Sequence, residues 1–319
     1  MRNKDQYLLE EKYKEARFNQ YIKEEEEKGN CKIIKTFKLS PPNSKFGITK
    51  QWSFSLLSGV TCTFAKFCKA WVKVDPVTGK RELERGKDSE FTCFAARDEA
   101  QYPETYNQRD YNTQLMREVL AKDGVQGFVN TMRAAFEIPK HKAGIFKSKY
   151  FRIHVGGDFE SQQYFDAWCE FVKLYPNLIF YAYTKSAPYA LKHALPPNLI
   201  ITHSIGSYYD KKIIEGGHKF AAVIYKPEDI ANITSQTQVI NGWQHTYEDG
   251  TKSRPFDLPI DHDDSNAYLH KEPFALLIHG TQESGSIAAE AKKQLKEKGV
   301  KFEYGKASDK KLEQNPKDT

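Results

Sequence analysis

The 319-residue chain has no apolar run near the roughly 18 residues a membrane-spanning helix needs, so no membrane partner is expected. Residues 1–28 are charged throughout and lack the apolar core of a secretory signal. The expected location is therefore cytoplasmic. In such a reducing compartment the five cysteines are thiols or metal ligands rather than disulfides. Charge of one sign is also scarce in excess: 48 basic against 42 acidic residues leave a net charge of +6. That balance permits contact with nucleic acid without arguing for it. The chain has no internal repeat, no P-loop, no nucleophile elbow and no His-Glu-x-x-His pair. Nothing in it speaks for a particular oligomeric state.

Aromatic residues are plentiful, with 20 Phe, 18 Tyr and 4 Trp, and a chain of this length can bury a full core. Residues 1–30 read as a charged helical arm ended by Gly29 and Asn30, residues 31–305 as one α/β domain, and residues 306–319 as a flexible tail. Early strands are expected at 31–39 and at 51–57. The turn Asp75–Gly79 joins the segments 70–74 and 80–83 as a hairpin inserted between Cys68 and Cys93. Residues 108–135 read as one or two helices broken near Gly124 and Gly127.

From Tyr150 onward, strands at 150–155, 178–183, 199–202, 220–225 and 274–278 alternate with helices at 161–174, 187–194 and 286–298. Such alternation implies parallel pairing with right-handed crossovers. The expected fold is α/β, a partial or complete parallel β/α barrel with an N-terminal helix and an inserted hairpin. A doubly wound open sheet is the competitor. Residues 226–270 show no periodicity.

Five residues separate Cys62 from Cys68, and twenty-four more separate Cys68 from Cys93. Thiolates are soft ligands suited to zinc or an iron–sulfur cluster. The inserted hairpin can return the third cysteine to the first two. Three ligands leave a coordination position open, whereas a structural zinc is normally closed by four. A 4Fe–4S cluster with one unligated iron is such a site; three unrelated buried thiols are the plain alternative. Cys31 opens a strand, and Cys169 reads as a small core residue.

His154-Val155-Gly156-Gly157-Asp158 closes a strand, where parallel α/β folds bind ligands. Either the glycines admit a ligand and Asp158 receives its amino group, or the pair makes a turn and Asp158 caps the next helix. Thr184-Lys185-Ser186 and His203-Ser204 also follow strands, on the same end. Asp261-His262-Asp263-Asp264 reads as an acidic loop or as cation ligands. His279 follows a strand as a hydrogen-bonded structural histidine or as a group reaching the same end.

At these residues the chain resembles a family of phage proteins named after gene product eighty-eight. The pieces that carry the likeness are Asn43-Ser44-Lys45, Ser58-Gly59-Val60-Thr61-Cys62, Cys93-Phe94-Ala95, Arg152 to Phe159 and Phe180 to Ser186. The chain is more distantly similar to radical S-adenosylmethionine enzymes. That likeness implies a barrel in which Cys62, Cys68 and Cys93 hold a 4Fe–4S cluster and Gly156, Gly157 and Asp158 contact the S-adenosylmethionine cofactor. Thr184, Lys185 and Ser204 join the cofactor-binding set. The cofactor would yield a radical that abstracts hydrogen from a nucleotide, nucleic-acid or peptide substrate, in the host cytoplasm if the gene is phage-borne. The cysteine spacing is wider than the enzyme pattern, Phe94 stands where tyrosine is usual, and Asp158 where glutamate is usual. Two other readings stay open. One is a nucleic-acid-binding protein in which zinc staples the hairpin. The other is a metal-dependent hydrolase using His154, Asp158 and His203.

Overall fold

The computed structural model describes residues 35–42, 50–192 and 194–300. The expected N-terminal arm, Cys31, the Asn43-Ser44-Lys45 piece and the tail lie outside the described residues.

In chain order the first elements are β1 (Trp52–Phe54), the hairpin β2 (Ala70–Val74) and β3 (Arg81–Arg85), then α1 (Phe94–Gln101), α2 (Pro103–Glu137) and α3 (Pro139–Ser148). The alternating region follows with β4 (Tyr150–Ile153), α4 (Gln162–Lys173), β5 (Ile179–Thr184), α5 (Ala187–Ala190), β6 (Leu199–Ser204), α6 (Asp210–Glu215) and β7 (Phe220–Ile224). The last elements are α7 (Pro227–Ile230), the hairpin β8 (Val239–Trp243) and β9 (Phe256–Pro259), α8 (Ser265–Leu269), β10 (Phe274–Leu277) and α9 (Ile287–Glu297).

Six strands form one sheet in the order β1-β4-β5-β6-β7-β10, and every pairing is parallel. The order follows the chain and never reverses. A doubly wound sheet requires a reversal, where its switch point lies; the sheet is therefore singly wound. Among the described residues nothing pairs β10 with β1, so the expectation of a complete barrel gives way to an open sheet. Both free edges carry irregular chain instead. Ser40 exchanges two backbone hydrogen bonds with Ser53 on β1, and Ile260 bridges Ala275 on β10.

Side chains alternate across the strands, as a period of two dictates. Phe54, Phe151 and Phe180 point to the helices and pack with Phe128 and Phe136 of α2 and Trp168 and Phe171 of α4. Helix α4 starts where Ser161 Oγ accepts the Tyr164 N–H, a capping bond worth about 1 kcal/mol. Helix α2 is one element with a kink: Gly124 has φ +64°, the break that its glycines announced.

Two early expectations change. Residues 35–39 make no strand, because the three-residue edge strand β1 offers only the Ser40 bridge; Phe37 and Leu39 are buried all the same. Residues 226–270 contain the antiparallel β8–β9 hairpin, whose register shifts between Ile240 and Trp243 and so hides the alternation.

Residues 261–269 cross the face of the sheet opposite the large helices. Asp261 N–H bonds Ala275 O on β10, Tyr268 packs on Tyr150 and Tyr181, and Lys219 Nζ, just before β7, donates to the Asn266 and Ala267 carbonyls. This strap closes off the open sheet that no further strand covers.

A candidate cofactor cavity over the strand ends

A cavity of about 500 Å³ opens at the carboxyl ends of the strands. Cys62, Cys68, Cys93, Gly156, Gly157, Asp158, Thr184, Lys185 and Ser204 all line it, so the expected metal and cofactor set faces one space, whereas His203 of the hydrolase reading is not in the lining.

Backbone contacts explain how the cysteines arrive. The chain leaving β1 turns at Gly59, whose φ is +70°; a Cβ there would stand 2.0 Å from Ala70 O. The Cys62–Cys68 loop then docks on the loop after β6, where Lys66 and Phe67 N–H groups donate to Gly206 O at 2.9 and 3.1 Å. Lys69 Nζ ties the loop to itself through the carbonyls of Gly59 (2.7 Å) and Cys62 (2.6 Å). The insertion departs beside Phe67 and returns there, since Glu90 and Phe91 N–H groups both donate to Phe67 O. Cys93 thus comes back to Cys68 and takes the N-cap position of α1.

The three cysteines are free thiols in one electrostatic neighbourhood. Burial pushes the Cys62 thiol well up, reinforced by Asp158, Cys93 and Cys68. Burial and Cys68 push Cys93 up to about 12, although the Ala95 and Ala96 N–H groups act the other way. Gly59 N–H donates to Cys62 Sγ at 3.3 Å. Among the described residues no group of three or more His, Cys, Asp or Glu side chains is placed to hold a metal ion. Soft thiols with peptide N–H groups aimed at sulfur are donors of the kind that thiolate-bound metals use.

The Gly156-Gly157-Asp158 turn sits against this loop. Thr61 Oγ1 accepts from Asp158 N–H at 3.1 Å and donates to Leu57 O at 2.8 Å. The Asp158 carboxylate is buried and accepts from Phe159 N–H, Thr184 Oγ1 (2.5 Å) and Lys185 N–H (2.8 Å). Burial raises its pKa against those donors. It does not cap α4, because Ser161 does; it joins the β4 and β5 loops. Its Oδ2 accepts one of these bonds and retains a lone pair for another donor. Lys185 Nζ reaches Ser204 Oγ at 2.5 Å, linking the β5 and β6 ends.

Of the two histidines flanking these loops, His154 borders the cavity and His203 does not line it. His154, with φ +66°, bonds Tyr164 Oη through Nε2 at 2.8 Å, and burial followed by Arg152 lowers its pKa to about 3. His203 packs on His218, and burial lowers it to about 4. His279 lines the cavity, its ring 5.1 Å from that of Phe94.

Other polar groups at the cavity had no local motif to announce them. Glu99, fully buried, accepts from Ser58 N–H (3.0 Å), Ser58 Oγ (2.7 Å) and Arg109 Nη1 (2.7 Å). A polar stripe on α2 was the available signal: Arg109, Asn112 and Thr113 share the helical face of Met116 and Leu120. On the strap, Asp264 accepts from Arg152 Nη1 (2.5 Å), Tyr181 Oη (3.1 Å) and Tyr183 Oη (3.0 Å). His262, Asp263 and Asp264 all line the cavity. The acidic run is therefore split: Asp264 pairs with arginine, and Asp261 turns inward to accept from the Asp263 and Asn266 N–H groups.

Asp261 carries a pH prediction. Burial, then Asp264 and Asp263, raise its pKa to about 7, while the two N–H donors oppose the shift; Lys219 and Tyr183 also feel its charge. A raised folded-state value gives stability that is present below the unfolded carboxylate range and lost as pH rises through 7. Between about pH 4 and 7 the loss approaches 1.4 kcal/mol per pH unit. Urea unfolding across that range should show the slope, and Asp261→Asn should flatten it.

The fold and site define a singly wound parallel α/β protein with a thiol-lined cavity over its strand ends. The chain belongs to the family described as Gene product 88, whose family model matches residues 23–298. No curated protein and no solved structure matches it. Among the described residues no helix is long and apolar enough to cross a membrane.

Proposed function

We propose that the protein is an iron–sulfur enzyme of radical S-adenosylmethionine type, with Cys62, Cys68 and Cys93 as cluster ligands. One observation carries the reading: three thiols and the Gly156-Gly157-Asp158 turn, far apart in the chain, line a single cavity over parallel strand ends. When bound, a 4Fe–4S cluster supplies the electron by which S-adenosylmethionine becomes a source of hydrogen-atom abstraction.

The chain's own residues have definable tasks around such a ligand. Gly156 and Gly157 keep the backbone bare where the ligand approaches. The remaining acceptor capacity of Asp158 Oδ2 suits an amino group. Lys185 Nζ, held by Ser204, suits a carboxylate. The apolar flank of Phe91, Val223, Leu276 and Ile278 keeps water from the reacting centre.

Protein purified without oxygen should contain about four irons and four sulfides and be brown. A Cys62→Ala/Cys68→Ala/Cys93→Ala variant should lose both while remaining folded. Stoichiometric zinc without iron after attempted reconstitution would overturn the proposal in favour of a zinc-stapled binding protein or a metal-dependent hydrolase.

A further inference from the structure

A single carboxylate ties together the parts that build the cavity. Glu99 lies on α1, the helix that Cys93 begins, and is fully buried. It accepts two hydrogen bonds from Ser58, four residues before Cys62, and one from Arg109 on α2. Arg109 Nη1 also donates to Ala95 O, two residues after Cys93, at 2.9 Å. The guanidinium lies over Gly156: a Cβ on that glycine would stand 2.5 Å from Arg109 Nη1, 2.7 Å from Cζ and 3.0 Å from Ser58 Oγ. One ion pair therefore touches the Cys62 loop, the Cys93 helix and the first glycine of the turn.

A buried pair of this kind is poor evidence of stability, because desolvation offsets most of the attraction. What it supplies is direction. A planar guanidinium whose Nη1 bridges two acceptors and a carboxylate satisfied by three donors accept few alternative geometries.

We propose that Glu99 and Arg109 are a positioning pair, which sets the Cys62 loop, Cys93 and the Gly156-Gly157-Asp158 turn in register so that the thiols face the cavity before any ligand arrives. The inference deepens the function proposed above, and its consequence for a bound metal group rests on that reading. Its geometric core concerns the metal-free chain. Gly156 is then required as much for Arg109 as for a ligand.

The test is site-resolved alkylation of the metal-free, reduced protein by N-ethylmaleimide, with each cysteine read separately by peptide mass. Cys169, on α4 and away from the cavity, is the internal control. In Glu99→Gln, labelling of Cys62 and Cys93 should quicken at least tenfold with Cys169 unchanged. Arg109→Lys, which keeps the charge but not the planar guanidinium, should recover part of the protection relative to Arg109→Met. Ser58→Ala, which removes one bond only, should quicken both thiols by a smaller factor and serves if Glu99→Gln does not fold. Unchanged rates at Cys62 and Cys93, or a parallel rise at Cys169 that marks general loosening, would overturn the proposal. Iron uptake by the same variants separates the two ideas. A wild-type protein that takes up no iron but shows the labelling pattern removes the proposed cofactor and leaves the positioning pair intact.

Discussion

Asp264→Ala should lower the unfolding free energy by about 3–5 kcal/mol, the usual result of stripping one partner from a buried ion pair. The Arg152 side chain is 12% exposed and the Asp264 side chain 16%. Removing the carboxylate takes this ion pair from Arg152 and the acceptor from two tyrosine hydroxyls. Burial alone already disfavours the charged arginine, and Asp264 is the first influence that restores it. The backbone adds a further cost, since Asp264 has φ +66°, which aspartate tolerates better than alanine. Asp264→Gly should therefore be milder than Asp264→Ala by about 1 kcal/mol. Urea unfolding of Asp264→Ala, Arg152→Met and the double variant gives the coupling directly. A loss below about 1 kcal/mol for Asp264→Ala would mean that the pair does not hold the strap. Because the strap carries His262 and Asp263 to the cavity, Asp264→Ala should also alter the cavity lining at temperatures where the protein is still folded.

Gly157→Ala should be nearly as damaging. Its φ of +83° costs an alanine about 1–2 kcal/mol, and the new Cβ would lie 2.7 Å from Leu56 Cβ, 2.8 Å from Thr61 Oγ1 and 2.9 Å from Leu56 O. Two of these atoms belong to the chain leaving β1, which is fixed by its sheet, so the overpacking adds about 1–3 kcal/mol. Thr61 is the atom pair that matters for the site. Displacing its hydroxyl breaks its bond to Asp158 N–H and separates the turn from the Cys62 loop. Gly79→Ala is the control: its φ is +68° but nothing lies within 4 Å of the added Cβ, so only the backbone cost of about 1 kcal/mol is expected. Equal losses for the two variants would show that close packing at Gly157 contributes nothing. Under the proposed function Gly157→Ala should also lose cluster content, and Gly79→Ala should keep it.

The strands and the strand-end motifs were legible because their signals are local. Tyr150 to Ile153, Ile179 to Thr184 and Phe274 to Leu277 each announce themselves within a few residues, and helix α4 by its aromatic spacing. Parallel pairing then forces the loops at Cys62, Gly156, Lys185 and Ser204 to one end of the sheet, whatever the sheet's final shape. The hairpin between Cys68 and Cys93 was readable for the same reason, from one turn and two flanking segments.

Three features escaped, and each depends on partners distant in the chain. Whether the sheet closes is a question of pairing between β1 and β10, and no pattern inside either strand answers it. The strap at 261–269 carries only short polar signals. It becomes an element because Arg152, 112 residues away, pairs with Asp264, and because Lys219 meets its last turn. Glu99 and Arg109 look like ordinary charges on two helices until folding places Ser58 and Gly156 against them. Periodicity and turn chemistry therefore specify the elements and the end of the sheet on which the cavity opens. Long-range burial of charge, which no local pattern encodes, specifies how that cavity is floored and how its cysteines are aimed.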